Sequence, residues 1–123
     1  MLFRSIVGFT GHVDDVPSAL RSLDIVVHAS TEQEPFGMVI AEGMAAGRPV
    51  VVACGGGAAE LFEDGVDALG YPPGDAAALA RQLEQLASGP ALRDRLAARA
   101  RAAALERFSP SRMAGAFRAV YVR

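Results

Sequence analysis

Two short runs constrain the fold of this chain more than anything else: Ile25-Val26-Val27-His28-Ala29 and Val50-Val51-Val52-Ala53, nearly all apolar and rich in β-branched residues. A sheet with one wet face alternates apolar and polar positions, whereas a strand covered on both faces reads as a near-continuous apolar run, the signature of a parallel sheet. Parallel neighbours need a crossover, usually a helix. Residues 38–46 have that character, with Gly47 suited to the left-handed position past a helix end and Pro49 just beyond it. The alternation extends both ways. Residues 5–10 read as an earlier buried strand, and residues 11–17 as a turn and helix start, the helix running to about Ser22. Residues 58–63 read as a short helix and 67–70 as a short strand. Strands and helices at this spacing predict an α/β fold, a parallel sheet of right-handed βαβ units flanked by helices.

The rest of the chain reads as helix. Asp75 can cap a helix carrying Leu79, Leu83 and Leu86 on one side, stopped at Gly89-Pro90. Residues 93–107 form a second, charged helix with Leu92, Leu96 and Ala103 as its buried stripe, and its Arg-rich face reads as solvated. Ser109-Pro110 opens a third, with Met113, Phe117 and Tyr121 at helical spacing. The 123 residues fit a single domain, with a sheet-and-helix core over 1–74 and a helical segment over 75–123.

A hydrophobic share of 51% against 21% charged residues excludes a disordered chain, and a formal charge of −2 gives no whole-surface attraction to nucleic acid or anionic lipid. All twelve basic residues are Arg, which reads as a compositional bias. Cys54, the only cysteine, cannot form an intrachain disulfide; it is expected to be a buried structural thiol in a cytoplasmic setting. The first residues lack a sustained apolar segment and no run approaches the length of a membrane span, so neither export signal nor transmembrane helix is expected.

The chemistry is expected in residues 31–42, at the carboxyl end of one strand and the start of the next helix, where open α/β sheets bind ligands. Glu34 and Glu42 flank that helix start with seven residues between them. Helical rise would separate their backbones by roughly 12 Å, too far for an acid and base sharing one bond, since glycosidase carboxylates stand about 5 to 9.5 Å apart. The spacing better fits two ends of an extended ligand. The free N–H groups around Phe36, Gly37, Met38 and Val39, with the positive end of the helix dipole, suit a pyrophosphate, and a carboxylate suits ribose hydroxyls. Together these resemble a site for a sugar nucleotide. The alternative is plain: Glu34 as a charge near a helix start and Glu42 as a solvated helix residue. His12 and His28 read either as site residues or as structural ones, and Gly55-Gly56-Gly57 either as an approach to phosphate or as a turn.

Residues 34–51, from Glu34-Pro35-Phe36-Gly37 through Ala41-Glu42-Gly43 to Arg48-Pro49-Val50-Val51, closely resemble the E-x7-E region of the retaining group 1 (family 4) glycosyltransferases. Phe9-Thr10-Gly11-His12-Val13 resembles that family's F-T-G-x-V segment, and Asp24 to Ser30 its D-x-x-x-x-P-S segment, with Ala29 in place of Pro. Gly56-Gly57-Ala58-Ala59-Glu60 resembles its G-G-x-x-E turn, and Pro72-Pro73-Gly74-Asp75 and Glu106-Arg107-Phe108-Ser109 its later landmarks. The resemblance implies part of the Rossmann-like, C-terminal donor-binding domain of a GT-B glycosyltransferase. It implies that Glu34 is the catalytic-side carboxylate on the donor sugar, that the N–H groups of Phe36, Gly37, Met38 and Val39 hold sugar and distal phosphate, and that Glu42 holds the ribose. Gly11, His12 and Val13 would lie against the base. The donor would be a nucleotide-diphosphate sugar, and no metal or other cofactor is implied.

The resemblance covers only the later part of the second of the family's two domains. It implies a missing acceptor domain, supplied by a longer parent chain or a separate one, and two absent strands between residues 5–10 and 25–29. Residues 25–29 would then present an open edge. The first strand is expected to pair there, or two chains to join or exchange strands as a homodimer. Three readings stay open: an enzyme part inactive alone, a nucleotide-sugar binding module, and a truncated fragment that only self-associates.

Overall fold

The computed structural model describes residues 6–121. Three parallel strands, β1 (Val26–His28), β2 (Val50–Ala53) and β3 (Leu69–Tyr71), lie side by side in chain order, with Val26 opposite Val50 and Val51 opposite Leu69. Helix α1 (Val16–Ser22) precedes β1, α2 (Met38–Ala45) crosses from β1 to β2, and a single 3-10 turn (Gly57–Glu60) follows β2. Three helices end the chain: α3 (Ala76–Ser88), α4 (Pro90–Arg107) and α5 (Pro110–Tyr121). This is the partial Rossmann-like sheet, flanked by helices, that the sequence predicts.

β2 explains why its sequence is apolar at every position. Val50 and Val52 pack with Ile40, Met44, Ala100 and Ala103 on one face, while Val51 and Ala53 pack with Ala78, Leu86 and Leu96 on the other. All four β2 residues are at most 1% exposed, and full burial of each such valine stabilises the fold by about 1.5–3 kcal/mol. The crossover helix can ride close to the sheet because position 43 is glycine: a Cβ there would stand 3.1 Å from Val26 Cγ1 and 3.2 Å from Val50 Cγ2. Gly47 takes the left-handed conformation past the helix end, as expected, and Arg101 on α4 donates to the Ala45 carbonyl at 2.9 Å. α4 thereby closes over the C-terminal end of α2.

Several expectations are corrected. Ser5 lies outside the described residues, but of the expected first strand Ile6 is helical and residues 7–10 have no regular structure. Ile6 and Phe9 are exposed, and no strand lies against the outer edge of β1 among the described residues. The segment therefore does not pair with β1; an apolar run without a ladder partner has nothing to hold it extended. The strand expected at 67–70 begins at Leu69, because the buried Asp67 carboxylate accepts the Glu63 N–H at 2.7 Å and shapes a turn instead. The helix expected at 58–63 is only the 3-10 turn. Gly89-Pro90 stops α3 as expected, yet Pro90 also starts α4, where its fixed φ and missing N–H cost nothing. Asp75 caps α3 by accepting from the Ala78 N–H, and Leu96 and Ala103 are buried on α4. Ser109 accepts from the Arg112 N–H, but Met113, Phe117 and Tyr121 on α5 are exposed. Finally, Cys54 is exposed rather than buried: the sheet ends at Ala53 and the next residue already leaves it. Its thiol is nonetheless pushed up from the ordinary value by partial desolvation, which disfavours a reactive thiolate.

Candidate donor-binding site

The loop from β1 to α2 carries Glu34, Phe36 and Gly37 at one end of the sheet and leads directly into Met38 and Val39. Glu34 is tied to the turn after β2 by an isolated parallel bridge to Gly56 and by the Gly57 N–H, which donates to its carbonyl at 2.9 Å. Its side chain is equally fixed. His28, the last residue of β1 and buried, has Nε2 3.0 Å from Glu34 Oε2, while the Ser30 hydroxyl donates to Oε1. These two contacts, Ser30 first, hold the Glu34 carboxyl below its ordinary pKa. Ionised, it keeps further lone pairs free to accept from a ligand.

Three residues on, Gly37 caps α2 in a left-handed conformation, φ +84°, and offers no side chain to the helix N–H groups. The backbone angle favours glycine here, and a Cβ would also press on two side-chain ends, 2.9 Å from Ile40 Cδ1 and 3.3 Å from Glu34 Oε2. No backbone carbonyl among the described residues accepts from the N–H groups of Phe36, Gly37, Met38 or Val39. An uncapped helix start of this kind favours an anion, through both free donors and the helix dipole. Phe36 is anchored beside it by an edge-on contact with Phe108 at the end of α4, ring centres 6.3 Å apart.

Glu42 lies further along α2, exposed, on a ridge shared by two grooves. One, of about 590 Å³, is lined by Phe36, Met38, Arg107, Phe108 and Met113 among others; the second, of about 210 Å³, by Val16, Pro17, Leu20 and Arg21. A third, polar groove of about 380 Å³ runs along residues 29–34 to Glu34. Glu34 and Glu42 thus line different grooves. Gly11, His12 and Val13 line neither groove beside Glu42; the exposed His12 ring meets Asp14 at 3.1 Å.

Three supports of this site depend on partners that the sequence does not show. His28 reads as an isolated histidine until the loop folds its partner back six residues later. Gly56 and Gly57 are required by the protein's own backbone: a Cβ at 57 would stand 2.0 Å from the Pro35 carbonyl oxygen. Arg107 donates to the buried Asp67 at 3.1 Å and to the Leu61 carbonyl at 3.2 Å, which fixes the end of α4 where Phe108 meets Phe36. Each lies in a stretch the sequence singles out, His28 within residues 24–30, Gly56 and Gly57 in the G-G-x-x-E turn and Arg107 in the Glu106-Arg107-Phe108-Ser109 landmark, but none of these stretches shows the partner.

The profile of the group 1 glycosyl transferases matches residues 3–89. The chain belongs to that family. It is 36% identical over 111 residues to the lipopolysaccharide core biosynthesis glycosyltransferase LpsE of Rhizobium meliloti, covering 90% of this chain and 32% of that protein. It is 38% identical over 117 residues to the phosphatidyl-myo-inositol mannosyltransferase of Mycobacterium leprae, covering 94% of this chain and 31% of that protein. Among solved structures, Anabaena HepE in complex with UDP superposes with a TM-score of 0.88 at 35% identity, over 94% of this chain and 33% of the other. The chain therefore spans about a third of the length of these relatives and has the sheet of the GT-B glycosyltransferases.

Proposed function

We propose that this chain binds a nucleotide-diphosphate sugar across the start of α2 and serves the donor side of a retaining hexosyl transfer. The observation that carries the reading is the pairing of an uncapped helix N-terminus, whose N–H groups at Phe36, Gly37, Met38 and Val39 have no backbone acceptor among the described residues, and the fixed Glu34 carboxylate. Glu34 accepts from sugar hydroxyls, the N–H groups hold the distal phosphate, and Glu42 accepts from the ribose hydroxyls. Gly11, His12 and Val13 lie toward the base. As the bond from the anomeric carbon to the phosphate oxygen breaks, negative charge grows on the departing diphosphate, where the helix N-terminus stabilises it without a metal. The structures of HepE with UDP and with UDP-glucose support a donor of this class. In this reading the acceptor-binding residues come from outside residues 1–123, and the chain alone binds donor without transferring it. A lone thiol suits a cytoplasmic setting.

Calorimetric titration of the chain with UDP, ADP and GDP tests the reading. One of the three is expected to bind saturably, and Glu42→Ala to weaken it roughly ten- to hundredfold, the size expected for hydrogen bonds to a charged group. Failure of all three to bind contradicts it. Among the described residues no strand covers the outer edge of β1, where Val27 is 38% exposed, which favours an accompanying reading in which two copies associate edge to edge. Sedimentation should then give a dimer that Val27→Lys dissociates; a monomer at all concentrations contradicts that association.

A further inference from the structure

The Glu34 carboxylate is oriented by a residue that cannot itself reach a ligand. His28 is 4% exposed, its backbone is paired opposite Val52, and its carbonyl accepts from the Tyr71 hydroxyl at 3.3 Å. Nε2 faces Glu34 Oε2 at 3.0 Å, whereas Nδ1 is buried with no hydrogen-bond partner among the described residues. An ionised carboxylate only accepts, so Nε2 carries the proton. A bare Nδ1 then leaves only a lone pair unpaired, whereas a proton there would bury an unsatisfied N–H.

We infer that His28 is a positioning residue for sugar recognition: held as the Nε2–H tautomer, it fixes one oxygen of Glu34 while Ser30 fixes the other, and so sets the carboxylate plane that meets the sugar hydroxyls. The inference rests on the donor-binding reading and adds that affinity for the sugar, separately from affinity for the nucleotide, depends on this buried ring.

The test compares UDP-glucose with UDP on the intact chain. Glutamine carries an amide nitrogen close to the place of Nε2, whereas asparagine carries one close to that of Nδ1. His28→Asn is expected to weaken UDP-glucose binding about tenfold and leave UDP binding within twofold, and His28→Gln to restore UDP-glucose binding to within threefold of the parent. Unchanged UDP binding also reports that each variant is folded. An equal loss in both variants, or a parallel loss of UDP affinity, overturns the inference. A second arm needs no ligand: ¹⁵N spectra of the parent chain should show His28 protonated at Nε2 and bare at Nδ1, and the opposite tautomer overturns the inference whatever binds. If neither UDP nor UDP-glucose binds the parent chain, the donor-binding reading fails for these nucleotides, while the tautomer still decides whether His28 holds Glu34.

Discussion

Gly57 donates its backbone N–H to the carbonyl of Glu34 at 2.9 Å, and a side chain at position 57 would collide with the Pro35 carbonyl, its Cβ only 2.0 Å from the oxygen. Gly56 beside it has φ +56° and would place a Cβ 2.7 Å from the Glu34 carbonyl oxygen. The glycine turn after β2 is thus a seat for the loop after β1. The site on that loop depends on both.

Gly57→Ala should therefore displace the Glu34 loop. Forcing a methyl into a filled space typically destabilises by about 1–3 kcal/mol, and urea denaturation should register a loss of that order together with weaker UDP-glucose binding. Gly8→Ala is the control: nothing lies within 4 Å of a Cβ there, and its effect should stay within about 0.5 kcal/mol. Equal stability of the two variants contradicts the seat.

The tie between Arg107 and Asp67 should matter to the fold more than a surface ion pair does. Asp67 is 2% exposed and Arg107 half-exposed. Removing one partner of a fully buried pair costs about 3–5 kcal/mol. Here Asp67 keeps its bond from the Glu63 N–H, so Arg107→Ala should cost less, about 2 kcal/mol by urea denaturation. A loss below about 0.5 kcal/mol, the range of ordinary surface substitutions, contradicts the assignment.

Acid should reveal the hold on Glu34. Its carboxyl lies below the ordinary 4.5 because the Ser30 hydroxyl, and after it His28, favours the ionised form. A carboxyl depressed in the folded chain stabilises the fold above its unfolded value, and that stability is lost as pH falls from there through the native midpoint. ¹³C titration of the Glu34 carboxyl should accordingly give a midpoint below 4.5. Ser30→Ala should raise it, and that variant should lose less stability on acidification. A parent midpoint at or above 4.5 contradicts these contacts.

Much of this architecture was readable where the information is local. The unbroken apolar run of β2, the Asp75 cap, Gly47 past α2 and the stop at Gly89 each act within a few residues, and each stands where the sequence puts it. The E-x7-E resemblance likewise located the loop and helix start that meet at the site. What escaped was non-local. Whether residues 7–10 form a strand depends on a neighbour in space, and none lies there among the described residues. The seat of Glu34 on Gly57 joins two loops more than twenty residues apart, and no periodicity records it. Asp67 looked like the start of a strand because its role, accepting a turn N–H and pairing with Arg107, depends on where its carboxylate points. Cys54 follows four buried residues, and only the end of the pairing at Ala53 puts it outside.

Amide chemical-shift mapping with UDP-glucose distinguishes donor binding at the start of α2 from binding elsewhere on the chain. The largest saturable shifts are expected at the N–H groups of Phe36, Gly37, Met38 and Val39, with the titration moved to higher ligand concentration by Glu42→Ala. No saturable shift at those four amides, or shifts concentrated on α3 and the outer face of α4, would contradict it.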